Sequence, residues 1–158
     1  MLILERCYIV FIDQYIILKF LNPLFDSIFI YFKPLYWDQR YEFEDKRAME
    51  AGVKNFDWYA PFDKIYPVVE SVIDATIKHK ILVLGVGKSN IIETLIENGH
   101  KDIIAIDISP FIISKMSQKY SYFAGVEFFV LDCRDLSYFS DNTFTLVLDK
   151  GDLCNPRK

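Results

Sequence analysis

The stretch Lys80–Asn90 reads KILVLGVGKSN, and its second half, GVGKS, has the outline of a phosphate-binding loop. Such a loop follows G-x-x-x-x-G-K-[ST], because several backbone N–H groups must wrap the phosphates before the lysine and the hydroxyl arrive. Counting back from Gly87 puts the required first glycine at Leu82, inside the apolar run Ile81, Leu82, Val83, Leu84. That run is a strand, and a strand ending near Gly85 leaves no residues to build an anion-binding nest. What remains is a strand that passes at once through a glycine turn into a helix, the opening unit of an α/β sheet.

Downstream, Asn90–Asn98 reads as a helix with Asn90 and Glu93 as a capping box and Gly99 as its stop. DIIAID, Asp102–Asp107, is a second strand. Ser109 and Pro110 then supply an N-cap and a first-position proline for the helix FIISKMSQKY. Val126–Leu131 and Thr143–Asp149 are two further strands, the last preceded by the turn SDN. Upstream, Asp63–Ile77 spaces Ile65, Val68, Val69, Val72 and Ile73 as a helix would, with Pro67 marking a break or a first turn. Strands alternating with helices call for right-handed crossovers and a parallel sheet. The expected fold is therefore α/β, a Rossmann-like doubly wound parallel sheet.

A chain of 158 residues with 52% hydrophobic content suits one domain with a buried core. Its net charge of −4 argues against a nucleic-acid partner, which calls for a basic face. Cys7, Cys133 and Cys154 form no C-x-x-C, and His79 and His100 follow no ligand spacing, so no metal is expected. Residues 1–34 are rich in Ile, Phe and Tyr and read as a hydrophobic N-terminal extension, with residues 35–158 forming the domain. Asp13, Gln14, Lys19, Asn22, Pro23 and Asp26 interrupt any run of about 20 apolar residues, so a membrane anchor is not expected and a cytoplasmic location is.

In a doubly wound sheet, ligands bind beyond the carboxyl ends of the strands at the switch point. Gly85 and Gly87 stand there, and Asp107 closes the next strand, where a carboxylate takes ribose hydroxyls. NAD and S-adenosylmethionine both fit those features. A dinucleotide turn wants a third glycine at the position held by Asn90, and Asp132, at the end of the third strand in VLDCRDL, suits the exocyclic amine of adenine. S-adenosylmethionine is the better match.

YWDQRY, FDWY, ILVLGVGKSNIIE, IAIDIS, LDCRDL and LVLDKG, in this order, resemble the class I S-adenosylmethionine-dependent methyltransferases. Among these they resemble the lysine methyltransferases of translation elongation factor 1-alpha, from Tyr36 to about Gly151. The resemblance implies that Trp37, Tyr41 and Trp58 close over the cofactor and that Gly85 lies beneath its amino-acid part. It implies Asp107 with Ile108 at the ribose, Asp132 with Cys133 at the adenine, and Lys150 beside the cofactor. Trp37, Tyr41 and Trp58 would also offer the sulfonium a cation–π surface. No catalytic base is assigned, since the reaction needs mainly a desolvated, well-placed amine.

Two departures stand out. The family's GCGNS is here GVGKS, which brings Lys88 near a cationic cofactor, and its DKGTLD is here DKGDLC, after which the match stops. The chain is thus expected to hold the N-terminal half of a methyltransferase domain, ending soon after a fourth strand whose outer edge would be open. A non-catalytic module that binds the cofactor or a partner is the alternative to an enzyme.

Overall fold

The computed structural model describes residues 3–4, 7–11, 33–52 and 60–150. Within them the chain forms β1 (Ile3–Leu4), β2 (Cys7–Phe11), α1 (Pro34–Ala51), α2 (Phe62–Glu70), β3 (Lys80–Leu84), α3 (Ile91–Glu97), β4 (Asp102–Asp107), α4 (Pro110–Lys119), β5 (Val126–Val130) and β6 (Leu146–Asp149). The six strands make one sheet in the order β1-β2-β6-β3-β4-β5. β3, β4, β5 and β6 run parallel, with Ile81 opposite both Ile103 and Leu146. The chain steps outward from β3 to β5 and then returns to pair β6 with the other side of β3, which sets a switch point between β3 and β6.

Alternation along the strands divides the core between two faces. Ile81, Val83, Ile103, Ala105, Leu146 and Leu148 point to the face covered by the helices, where Phe62, Val69, Ile92, Leu95, Ile112 and Met116 meet them. Leu82, Leu84, Ile104 and Ile106 point to the opposite face, which the loop between β5 and β6 covers with Leu136, Phe139 and Phe144.

Several local expectations hold because a local interaction decides them. Ser109 caps α4, its Oγ accepting from the Ile112 N–H at 3.2 Å, with Pro110 in the first turn. Gly99 closes α3 at φ +86°, its N–H bonded to the Ile96 carbonyl. β4 has the predicted bounds, whereas β6 begins three residues later than expected.

Others are corrected. The helix expected over Asp63–Ile77 ends at Glu70, with Pro67 inside it. The Ser71 hydroxyl turns back onto the Val68 carbonyl and Asp74 gathers the Thr76 N–H and hydroxyl, so the next residues form turns. The Asn90–Glu93 capping box is not made. Asn90 instead accepts from the Phe62 N–H at 2.6 Å and donates to Asp63 at 2.9 Å, tying α3 to the start of α2. Helix α1 was not foreseen; Pro34 near its start and Gly52 at its end, φ +62°, are the signals that mark it. The outer edge of β6 is not open either, since β2 lies parallel against it from Tyr8–Leu146 to Phe11–Asp149.

At the amino ends of the strands, His79 is buried between the Asp74 carbonyl (2.9 Å) and the Thr145 hydroxyl (3.2 Å). His100 meets the Tyr66 hydroxyl at 2.8 Å. Burial first, then the neighbouring His79, lowers the pKa of His100 below its ordinary 6.5, against the opposing pull of Glu70. A histidine that resists protonation in the fold but accepts it when unfolded makes stability rise with pH. Its contribution is complete above pH 6.5 and is lost as the pH falls below that value. Urea midpoints should therefore drop between about pH 7.5 and about pH 5.5, and drop less in His100→Asn. An equal drop in both proteins would show that other groups set the acid limb.

Candidate functional site

Three strand ends converge on the glycine turn that follows β3. Gly85 and Gly87 both take left-handed conformations, φ +55° and +49°, which a side chain would strain. The turn is tied to β4 twice: the Val86 N–H donates to the Ile106 carbonyl at 3.0 Å, and the Gly87 N–H to Asp107 Oδ2 at 3.0 Å. Asp107 is 5% exposed, and its Oδ1 accepts from the Ser109 N–H at 2.9 Å. The carboxylate is thus oriented by two backbone donors, and a carboxylate offers about four acceptor directions in all. Ile108 is half-buried between Asp107 and the α4 cap. Lys150, just past β6, donates to the Ser89 hydroxyl at 3.1 Å and so closes the turn from the opposite side.

The end of β5 is joined by the Leu131 N–H to the Asp107 carbonyl at 3.1 Å. The next residue, Asp132, is held by Arg134, whose N–H (2.9 Å) and guanidinium both bond the carboxylate. The Arg134 side chain, against a smaller desolvation cost, keeps the Asp132 carboxyl below its usual range. Cys133 is half-buried and, like Leu131 and Phe129, packs against the core of the loop-covered face.

Helix α1 lies across the turn. Tyr41 is buried, and its hydroxyl would stand 3.1 Å from a β-carbon placed on Gly87. Trp37 packs on the core one turn earlier, its ring 5.7 Å from that of Tyr41. Trp58, expected to close over the cofactor with them, lies outside the described residues. Asp38 on the same helix accepts from the Ser109 hydroxyl and, at 3.1 Å, from the Phe111 N–H, so α1 caps α4 from outside.

Of the residues singled out in the sequence, Tyr41, Gly85, Asp107, Ile108 and Lys150 gather at the turn, with Trp37 beside Tyr41. Asp132 and Cys133 stand at the neighbouring strand end. Asp38, Ser109 and Ser89 were missed as parts of this arrangement; the Ser-Pro cap was the only local sign of Ser109, and the others are joined to it by long-range bonds. The Lys88 ammonium, expected near the cofactor, instead turns back to α1, bonding the Tyr41 carbonyl at 2.8 Å and Asp45 at 2.8 Å. A surface hollow of about 420 Å³ lies along β5, lined by Tyr120, Val126 and Phe128, and contains none of these residues. Among the described residues no cluster of His, Cys, Asp and Glu could hold a metal ion, and no helix is long and apolar enough to cross a membrane.

The model of the methyltransferase domain matches residues 81–157. The chain is 34% identical to the eEF1A lysine and N-terminal methyltransferase of Mus musculus over 113 residues, 71% of this chain and 16% of that protein. It is 30% identical to EEF1A lysine methyltransferase 4 of Mus musculus over 125 residues, 79% of this chain and 46% of that one. A solved structure, the PH0226 protein from Pyrococcus horikoshii OT3, is similar at 30% identity with a TM-score of 0.47, covering 54% of this chain and 39% of the other. The chain therefore spans less than half of the curated relatives it matches.

Proposed function

From the premise that this chain carries a class I methyltransferase domain resembling the eEF1A lysine methyltransferases, we propose that it binds S-adenosylmethionine at the glycine turn and methylates a lysine of a translation elongation factor. Class I methyltransferase domains use this cofactor in general. The observation that carries the reading is the buried Asp107 carboxylate, fixed by the Gly87 and Ser109 N–H groups at the switch point. A carboxylate so oriented suits a ribose diol, and the left-handed glycines beside it let a ligand approach the backbone.

Bound there, the cofactor would supply an electrophilic methyl group for a neutral lysine amine. The residues of this chain position and shield. Asp107, with Ile108 beside it, would take the ribose; Asp132 and Cys133 would face the adenine, with Arg134 swinging aside to give Asp132 to the exocyclic amine. Gly85 and Lys150 would border the amino-acid end, and Trp37, Tyr41 and Trp58 the top. The attacking lysine must be neutral and close, within about 3 to 3.5 Å of the methyl carbon, which asks for a dry channel rather than a base. The elongation-factor substrate rests on the names of the relatives.

Titration calorimetry on the chain should show binding of S-adenosylmethionine and S-adenosylhomocysteine, with NAD and magnesium-ATP failing to compete. Transfer of a radiolabelled methyl group to elongation factor 1-alpha tests the substrate. Cofactor binding without transfer to any lysine substrate would favour a non-catalytic binding module, and magnesium-ATP binding in place of S-adenosylmethionine would overturn the proposal.

A further inference from the structure

A lysine on a turn at the tips of a sheet ordinarily extends into water, yet the Lys88 side chain is only 7% exposed. Every partner it reaches is on α1. Its Nζ donates to the Tyr41 carbonyl at 2.8 Å, pairs with Asp45 Oδ1 at 2.8 Å and with Glu44 Oε2 at 3.6 Å, and lies 5.5 Å from the centre of the Tyr41 ring. The second oxygen of Asp45 pairs with Lys115 on α4, so one carboxylate between two ammonium groups joins the glycine turn, α1 and α4. Burial opposes charge on Asp45, but Lys115 and Lys88 outweigh it and keep its carboxyl below the usual range.

We propose that Lys88 is a positioning residue, a clamp that holds α1 down on the glycine turn so that Trp37 and Tyr41 stand over the cofactor's place. It rests on the reading that the turn binds S-adenosylmethionine. Among the polar contacts that tie α1 down are Asp38 on the α4 N-terminus and the Lys88–Asp45–Lys115 group at mid-helix. Tyr41 lies between them along the helix, and Trp37 stands next to Asp38. Removing one member of a partly buried charge cluster leaves the rest less well compensated, with Asp45 here left to Lys115 alone, so loss of Lys88 loosens the helix from the turn. The cation that separates GVGKS from the family's GCGNS thus serves the protein's own acidic helix.

Amide hydrogen exchange in α1 and calorimetry with S-adenosylhomocysteine test this together. In Lys88→Met the α1 amides should lose most of their protection and affinity should fall about tenfold, as the docked form drops to about a tenth of the molecules, because a ligand's apparent affinity scales with the docked fraction. Lys88→Arg, which keeps the charge, should bind within about threefold of the wild type. If Lys88→Met does not fold, Asp45→Asn loosens the same clamp from the other side while leaving Lys88 its bond to the Tyr41 carbonyl. Failure of the wild-type chain to bind S-adenosylhomocysteine would sink the cofactor reading. Wild-type binding with unchanged α1 exchange in the variants, or with faster exchange and unchanged affinity, would overturn the clamp alone.

Discussion

Asp107→Ala should cost the protein about 2 to 5 kcal/mol of stability and weaken S-adenosylhomocysteine binding about 100-fold. The first effect follows from the two backbone donors that the carboxylate satisfies, the Gly87 N–H on Oδ2 and the Ser109 N–H on Oδ1. Each buried donor left without an acceptor costs about 1 to 3 kcal/mol. Asp107 is 5% exposed, so water has little access to replace it. The second effect follows from the proposed role of Asp107 at the ribose: each lost hydrogen bond to a charged acceptor costs about 1.5 to 3 kcal/mol, and about 2.7 kcal/mol is a factor of 100 in Kd. Asp107→Asn separates the two. It returns one acceptor to the backbone while removing the charge, so stability should recover in part and affinity should not. If affinity survives in both variants while stability falls, Asp107 braces the turn and does not touch the ligand.

Gly125→Ala should be the most damaging substitution of a residue remote from the site, lowering stability by about 3 to 5 kcal/mol. Gly125 sits at φ +87° just before β5, and a β-carbon there would lie 1.9 Å from the Lys101 carbonyl oxygen, which belongs to the backbone and cannot rotate away. The left-handed conformation alone costs an L residue about 1 to 2 kcal/mol. Relieving the clash must move the start of β4 away from the start of β5, where the Ile103 N–H donates to the Gly125 carbonyl at 2.9 Å and Ile103 faces Val126. Gly52→Ala is the control: it has φ +62° with nothing within 4 Å of the added carbon, and should cost about 1 kcal/mol. The urea midpoint reads both, with an unchanged slope showing that the transition remains two-state. Equal costs for the two would mean that the β4–β5 junction yields without loss.

What could be read in the sequence was whatever is decided within a few residues. Ile81–Leu84 and DIIAID announce themselves as strands by length and composition, and Ser109-Pro110 announces a helix start, because cap and capped amide are three residues apart. Asn90 misled for the opposite reason: its bonds run to Phe62 and Asp63, nearly thirty residues earlier, and no short window distinguishes such an asparagine from an N-cap. Helix α1 was obscured because its charged residues do not keep to one side. Glu44 and Asp45 turn inward to meet Lys88, and Asp38 meets α4, so the acidic face that looks solvated is partly a binding face for cations and amides of the same chain. The positions of Gly85 and Asp107 followed from strand order, while the engagement of Asp132 by Arg134 depends on how a two-residue turn folds back on itself.

The strand Cys7–Phe11 along β6 turns a question of assembly into one of rivalry. A sheet edge admits one neighbour, and this one is taken by a segment tethered to the same polypeptide, whose local concentration is of millimolar order for a short flexible connection and falls with tether length. Any other strand seeking β6 from that side joins by displacement, its success set by the difference between two similar pairings and its speed by how often the resident strand lets go. Cys7–Phe11 is thereby the first competitor for the growth of this sheet.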